Sequence, residues 1–172
     1  VERIYPNANR DQVIQNLYAG LDWDALKKGK PTREVVTPAI RRFANRAYRR
    51  PVTHEQIEPW IELAVTETKK SGASIGDGLH AAYRGILCSP RFLTFVEKPG
   101  KLDDYALASR LSYLAWNSMP DAALRHAANQ GQLTSDPKEL HRQLNRLLDD
   151  PKAERFIKSL ADQWLTLNLI NF

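Results

Sequence analysis

The sequence holds a single cysteine, Cys88, in 172 residues. That excludes an internal disulfide, a zinc site built from several thiolates, and covalent haem attachment through a C-x-x-C-H segment. No apolar run approaches the roughly 20 residues of a membrane-spanning helix, so no transmembrane segment is expected. No stretch alternates apolar and polar residues for long enough to predict a sheet. The histidines His54, His80, His126 and His141 show neither H-x-x-x-H nor H-E-x-x-H spacing, so no two imidazoles fall on one helix face and no metal site is predicted. Gly72, Gly76 and Gly78 have no preceding strand and no lysine-serine or lysine-threonine ending, which leaves both nucleotide-binding fingerprints unmet. The acids Asp103–Asp104 and Asp149–Asp150 sit at predicted helix termini, a simpler role than general acid and base.

What the sequence does carry is helical periodicity. With 42% hydrophobic and 26% charged residues, the chain has the composition of a globular protein and the length for one good core or two small ones. The fold is predicted to be all-α, a compact multi-helix bundle of two small modules with no sheet. Thr37–Pro38 reads as a helix start, with proline at the first helical position. Ile40, Phe43, Ala44, Ala47 and Tyr48 then form its apolar face. Thr53 and Gln56 make a capping box for a helix over 54–70, in which Pro59 produces a kink or moves the start to Glu58. Ser74 caps a third helix with Leu79, Ala82, Tyr83, Ile86 and Leu87 inward, and Pro90 opens one turn that sets Phe92, Leu93 and Phe95 on the core. Helices are also predicted over 122–129, after Pro137 with Leu140, Leu144, Leu147 and Leu148 inward, and after Pro151 with Phe156, Ile157, Leu160 and Trp164 inward. The implied organisation is an N-terminal arm or linker at 1–31, with a short helix over 11–18, a first module at 32–98 and a second at 99–172. Because the chain starts at Val1 and ends in LTLNLINF, both ends are expected to lie inside a longer polypeptide.

The longest apolar helical segment, LDDYALASRLSYLAWNSMPD at 102–121, is predicted to be central, with Asp103 as its N-cap. Arg110 falls in its middle. A guanidinium near a core needs a partner; Asp121 is preferred, with Glu97 and Asp162 as alternatives, and the other reading is that Arg110 snorkels to water. Tyr105, Tyr113, Trp116 and Trp164 fit core packing better than a relay or sugar platform, and Cys88 reads as a buried apolar residue. The charged feature that stands out is Arg41, Arg42, Arg46, Arg49 and Arg50, which supply a possible contact for an anion or partner within a net charge of +5. No nucleic-acid-reading signature accompanies them, so nucleic acid is not the expected partner. No catalytic, cofactor-binding or metal-ligating residue is nominated.

Four segments, FANRAYRRPVT (43–53), GILCSPRFL (85–93), the 102–121 stretch and LLDDPKAERFIKSLADQWL (147–165), together resemble the large secreted proteins of planctomycetes and related bacteria that combine a cytochrome-c-like domain with several domains of unknown function. The resemblance implies export to the periplasm or cell surface. It also implies haem c only in a separate domain, and partners among neighbouring domains or other exported proteins. It supplies no catalytic residues. The leading expectation is a non-catalytic helical scaffold or interaction module. The alternatives are part of a redox-linked or hydrolytic enzyme completed by flanking domains, and polyanion or nucleic-acid binding through helix 41–50.

Overall fold

The computed structural model describes residue 15 and residues 18–28, 30–95, 97 and 99–164, apart from the side chains of 159 and 162–164. Every regular element among these residues is helical: α1 Trp23–Lys27, α2 Thr32–Ala47, α3 His54–Thr68, α4 Ile75–Cys88, α5 Pro90–Leu93, α6 Asp104–Trp116, α7 Ala122–Asn129, α8 Gln132–Ser135, α9 Pro137–Asp149, a 3-10 turn Pro151–Ala153, and α10 Glu154–Trp164. The fold is all-α. The chain divides into two compact units, Val1–Thr94 and Phe95–Phe172, each with its own core. The helix expected over 11–18 lies outside the described residues except for Gln15 and Tyr18.

In the first unit, Ile40, Ala44, Ile57, Ile61, Leu79, Ala82 and Ile86 close the space between α2, α3 and α4. α2 starts earlier than the Thr37–Pro38 signal predicts. Val35 and Val36 are completely buried, so packing holds two β-branched residues in helix against their weak propensity. Thr37 is not a cap, since its Oγ1 donates to Arg33 O at 2.6 Å, and Pro38 lies inside the helix. The capping box of Thr53 and Gln56 forms and fixes the start of α3 at His54. The later start at Glu58 is therefore overturned, and the helix continues through Pro59. Leu21 and Ala25 belong to the first core, so the end of the expected arm is part of the unit.

α3 and α4 approach closely because α4 turns two glycines toward α3. A Cβ at Gly78 would stand 2.6 Å from Ala64 O and 2.8 Å from Thr68 Cγ2, and one at Gly85 would stand 2.6 Å from the Trp60 ring. Backbone at Gly78 cannot yield, whereas an indole at Gly85 can shift. Gly78→Ala is thus expected to destabilise the unit by about 1–2 kcal/mol, overpacking outweighing the helix-propensity gain, and Gly85→Ala by less. Urea denaturation of the two variants checks the order.

The second unit packs Ala108, Ala115, Trp116, Leu124, Ala127, Leu133 and Leu147 together. α6 starts as predicted, Asp103 accepting from Ala106 N at 2.8 Å. Its buried face is small, comprising Ala106, Ala108, Ser109, Ser112, Ala115 and the one large residue Trp116. Arg110 and Leu114, one turn apart, occupy the opposite exposed face. Several apolar residues expected inward are exposed: Leu87, Leu93 and Phe95, and in the later helices Leu148, Ile157 and Leu160. Cys88, expected buried, is exposed at the end of α4.

Candidate functional site

The arginine-rich segment 41–50 does not form one uniform surface. Arg41 Nη1 donates to Val52 O at 3.0 Å while its Nη2 faces His54 Nδ1 at 3.2 Å. Arg49 is buried, at 8% exposure, with a left-handed backbone at φ 62°. Its guanidinium donates to Phe92 O, Arg91 O and Thr94 O, each at 3.2 Å. Arg42 and Arg46 are exposed, and Arg50 is half-buried.

Arg49 thus joins two of the recognisable sequence segments. The turn after α2 carries RRPVT, and Ser89 with the α5 it precedes carries SPRF. The end of a helix leaves carbonyls without intrahelical donors, and a planar guanidinium meets several of them at once. Around this joint, Ser89 Oγ donates to Ile86 O at 2.7 Å and hydrogen-bonds Tyr48 Oη at 3.0 Å. Val52 N donates to Asn45 Oδ1 at 2.7 Å. Sequence reasoning sees the arginines but not this joint, because the partners lie more than forty positions away and are backbone carbonyls that any residue supplies.

A second polar chain crosses α2 and α3. Arg33 donates to both Glu58 and Glu62, and His54 Nε2 is 3.2 Å from Glu58 Oε2. Since a guanidinium only donates, the Arg41 contact uses His54 Nδ1 as acceptor. The pair of glutamates is engaged by Arg33, which raises the arginine's own pKa through Glu58 first and Glu62 second.

The pair expected between Arg110 and Asp121 is replaced by two others. Arg110 lies on the exposed face of α6 and reaches Glu97 with Nη2–Oε2 at 2.5 Å. Asp121 caps α7 by accepting from Leu124 N at 2.9 Å and takes the fork of Arg146 at 2.8 and 3.0 Å. The other candidate partner, the side chain of Asp162, lies outside the described residues. Asp104, expected only to oppose the α6 dipole, crosses to accept from Leu133 N, Thr134 N and Thr134 Oγ1 at 2.8, 3.1 and 2.7 Å. It therefore holds α8, a helix the sequence reading missed.

Partial desolvation pushes the Asp121 carboxyl up, but hydrogen bonds from Arg146 and Leu124 N–H and the charges of Arg146 and Arg125 outweigh it and hold the carboxyl below its usual range. Glu139 is held at about 2, first by its hydrogen bonds from Arg142 and then by Gln143. A pKa lower folded than unfolded stabilises above the unfolded value, about 4, and that stability disappears as pH falls through the folded value. The second unit is expected to lose thermal stability between about pH 4 and pH 2. Asp121→Asn keeps the cap and should flatten that slope in melting curves recorded across this range.

Trp116 is the polar anchor of the second core. It is 2% exposed, and its Nε1–H donates to Leu147 O at 2.8 Å. Arg155 Nη1 donates to Trp116 O at 3.1 Å, and the Lys152 ammonium lies 4.4 Å from the indole centroid. Tyr105 and Tyr113 are half-buried, the first donating to Asn129 Oδ1 at 3.0 Å and the second edge-on to Phe95. The side chain of Trp164 lies outside the described residues.

Among the described residues no three of His, Cys, Asp and Glu gather where a metal ion would bind, and no helix is long and apolar enough to cross a membrane. Gly76 and Gly78, weighed above against the nucleotide-binding fingerprints, lie inside α4 behind the Ser74–Asp77 capping box. No curated protein and no solved structure matches the chain. Residues 36–97 match the family described as PSD5, protein of unknown function (DUF1595), and residues 102–172 the family described as PSD4, protein of unknown function (DUF1592). The two units are thus similar, in chain order, to two families of helical domains whose function is unknown.

Proposed function

We propose that the chain is a pair of non-catalytic helical modules that position neighbouring domains of a larger exported, cytochrome-associated protein, or dock another exported protein. The observation carrying this reading is where the side chains of the recognisable segments go. Arg49, Ser89, Asp104, Trp116, Asp121 and Arg155 bind carbonyls, amides and one another across helices. These segments are joints. Exposed large apolar residues, among them Ile157 at 65% and Leu160 at 49% on α10, supply the kind of surface a docked neighbour covers.

The exported and cytochrome-associated setting rests on the resemblance of the four segments. Any haem belongs to another domain, since this sequence has no C-x-x-C-H. The test is the double substitution Ile157→Asp and Leu160→Asp in the full-length exported protein. Its isolated fragment should keep its helical circular dichroism, because both side chains are exposed. In the full-length protein, protease resistance and cross-links between this segment and its neighbours should be lost. An unchanged pattern of cleavage and cross-linking sinks the docking reading.

A further inference from the structure

We infer that the exposed edge of α2 at Arg42 and Arg46 receives an acidic segment of a partner protein and grips two of its carboxylates. The site stands apart from the apolar surface of α10. As many acids as bases lie in Phe95–Phe172, so the net charge of +5 belongs entirely to the first unit. Between Glu34 and Glu55 that unit holds five arginines and no acid. Arg41 and Arg49 spend their nitrogens on Val52 O, His54 and the carbonyls around α5, and Arg50 also interacts within the chain. Arg42 and Arg46 are exposed, and among the described residues neither donates a hydrogen bond or pairs with a carboxylate.

The acids of the neighbouring elements are engaged elsewhere. Glu34 pairs with Lys30, Glu58 and Glu62 pair with Arg33, and Asp77 accepts from Ser74 N and Oγ. Asp22 caps α1, and Asp24 is exposed there without pairing with either arginine. One helical turn separates Arg42 from Arg46, which sets their Cβ atoms about 5–6 Å apart. Acids two positions apart on an extended chain are spaced by about 6.5–7 Å, and each guanidinium takes a carboxylate through two parallel N–H donors. The edge is braced from below: Phe43 stacks on Tyr83 of α4 with centroids 4.1 Å apart, and Arg42 Cδ lies 3.3 Å from where a Cβ at Gly20 would stand. Two free guanidinium groups make too short a track for a nucleic acid or sulfated polymer, whose affinity grows with the number of charges neutralised. A short acidic segment uses both.

The test is a titration of the 172-residue chain, at constant ionic strength, with an end-capped peptide of alternating glutamate and serine, followed through the Nε–H resonances of Arg42 and Arg46. The peptide should give saturable shifts at both, and its glutamine counterpart none. Arg42→Gln with Arg46→Gln removes no hydrogen bond among the described residues and should weaken binding, read from backbone amide shifts along α2, by about ten-fold. Lys101→Gln with Lys138→Gln takes the same charge from exposed positions of the second unit and should leave binding unchanged. Equal weakening by the two double variants, shifts that do not saturate, or tighter binding of an oligothymidylate of equal charge overturns the proposal.

Discussion

Arg49→Ala is expected to destabilise the first unit by about 3 kcal/mol, which is large against the roughly 0.05–0.15 kcal/mol per residue that holds a domain folded. The guanidinium is buried and serves three carbonyls around the end of α5. Hydrogen bonds from a charged donor contribute about 1.5–3 kcal/mol each; at 3.2 Å these belong to the lower end, and sharing one donor makes them less than additive. Two further substitutions separate the contributions. Arg49→Lys keeps the charge, but an ammonium cannot reproduce a fork to three carbonyls, so it should recover only part of the loss. Arg49→Gly loses the same hydrogen bonds as alanine yet relieves the left-handed backbone at φ 62°, which costs a side-chain-bearing residue about 1 kcal/mol. The expected order is wild type, then lysine, then glycine above alanine. Amide hydrogen exchange at Phe92, Leu93 and Thr94 reads the effect locally. A change below about 0.5 kcal/mol, the range of an ordinary surface substitution, rejects Arg49 as the joint.

That arginine shows where sequence reading reaches its limit. Composition, periodicity and caps are local properties, and the elements that depend on them came through. Thr53, Ser74 and Asp103 each cap the helix that follows, and the apolar faces of α2 and α4 are the buried ones, with Phe43 half-buried and Leu87 exposed. Tertiary partners are not local. Arg110 and Asp121 are both charged residues of one segment, which made them natural partners on paper. Helix geometry instead sends Arg110 outward toward Glu97 and gives Asp121 to Arg146, a residue 25 positions later. Pro38 misled for a related reason: its local signal is a helix start, but burial of Val35 and Val36 extends the helix back to Thr32. Glycines Gly78 and Gly85 are silent in sequence because their role is the absence of a Cβ opposite a backbone and an indole. The amphipathic pattern of α10 likewise fixes a helix without saying whether its apolar residues meet this chain or a partner. Ile157 and Leu160 are exposed here.

The candidate site follows the same division. The arginine cluster was visible as charge, yet one of its members, Arg49, is a buried structural ligand and another, Arg41, spans Val52 and His54. The cations around Trp116 come from α9, the Pro151 turn and α10, so only the fold brings them together. A contiguous run of arginine is therefore a poorer guide to free positive surface than the carbonyls and carboxylates each side chain meets.

Trp116→Ala is expected to unfold most of the second unit at 25 °C. The indole is the largest fully buried side chain among the described residues, and truncating a buried tryptophan costs about 3–5 kcal/mol in lost transfer energy and cavity. Losing its Nε1–H leaves Leu147 O on α9 without that donor, adding about 1 kcal/mol. The sum approaches the whole stability of a unit this small, about 4–12 kcal/mol at ordinary values per residue. Trp116→Phe separates shape from polarity: a smaller ring remains in the core, the donor goes, and the platform under Lys152 weakens, so a loss of about 1–2 kcal/mol is expected. Residue-resolved hydrogen exchange distinguishes this local role from a general one. In Trp116→Ala, protection should collapse at Leu124, Leu133 and Leu147, which share its core. It should persist at Ile40, Ile61 and Ile86, which belong to the other core. Preserved protection around Leu147, or equal loss in both cores, contradicts Trp116 as the anchor of the second unit.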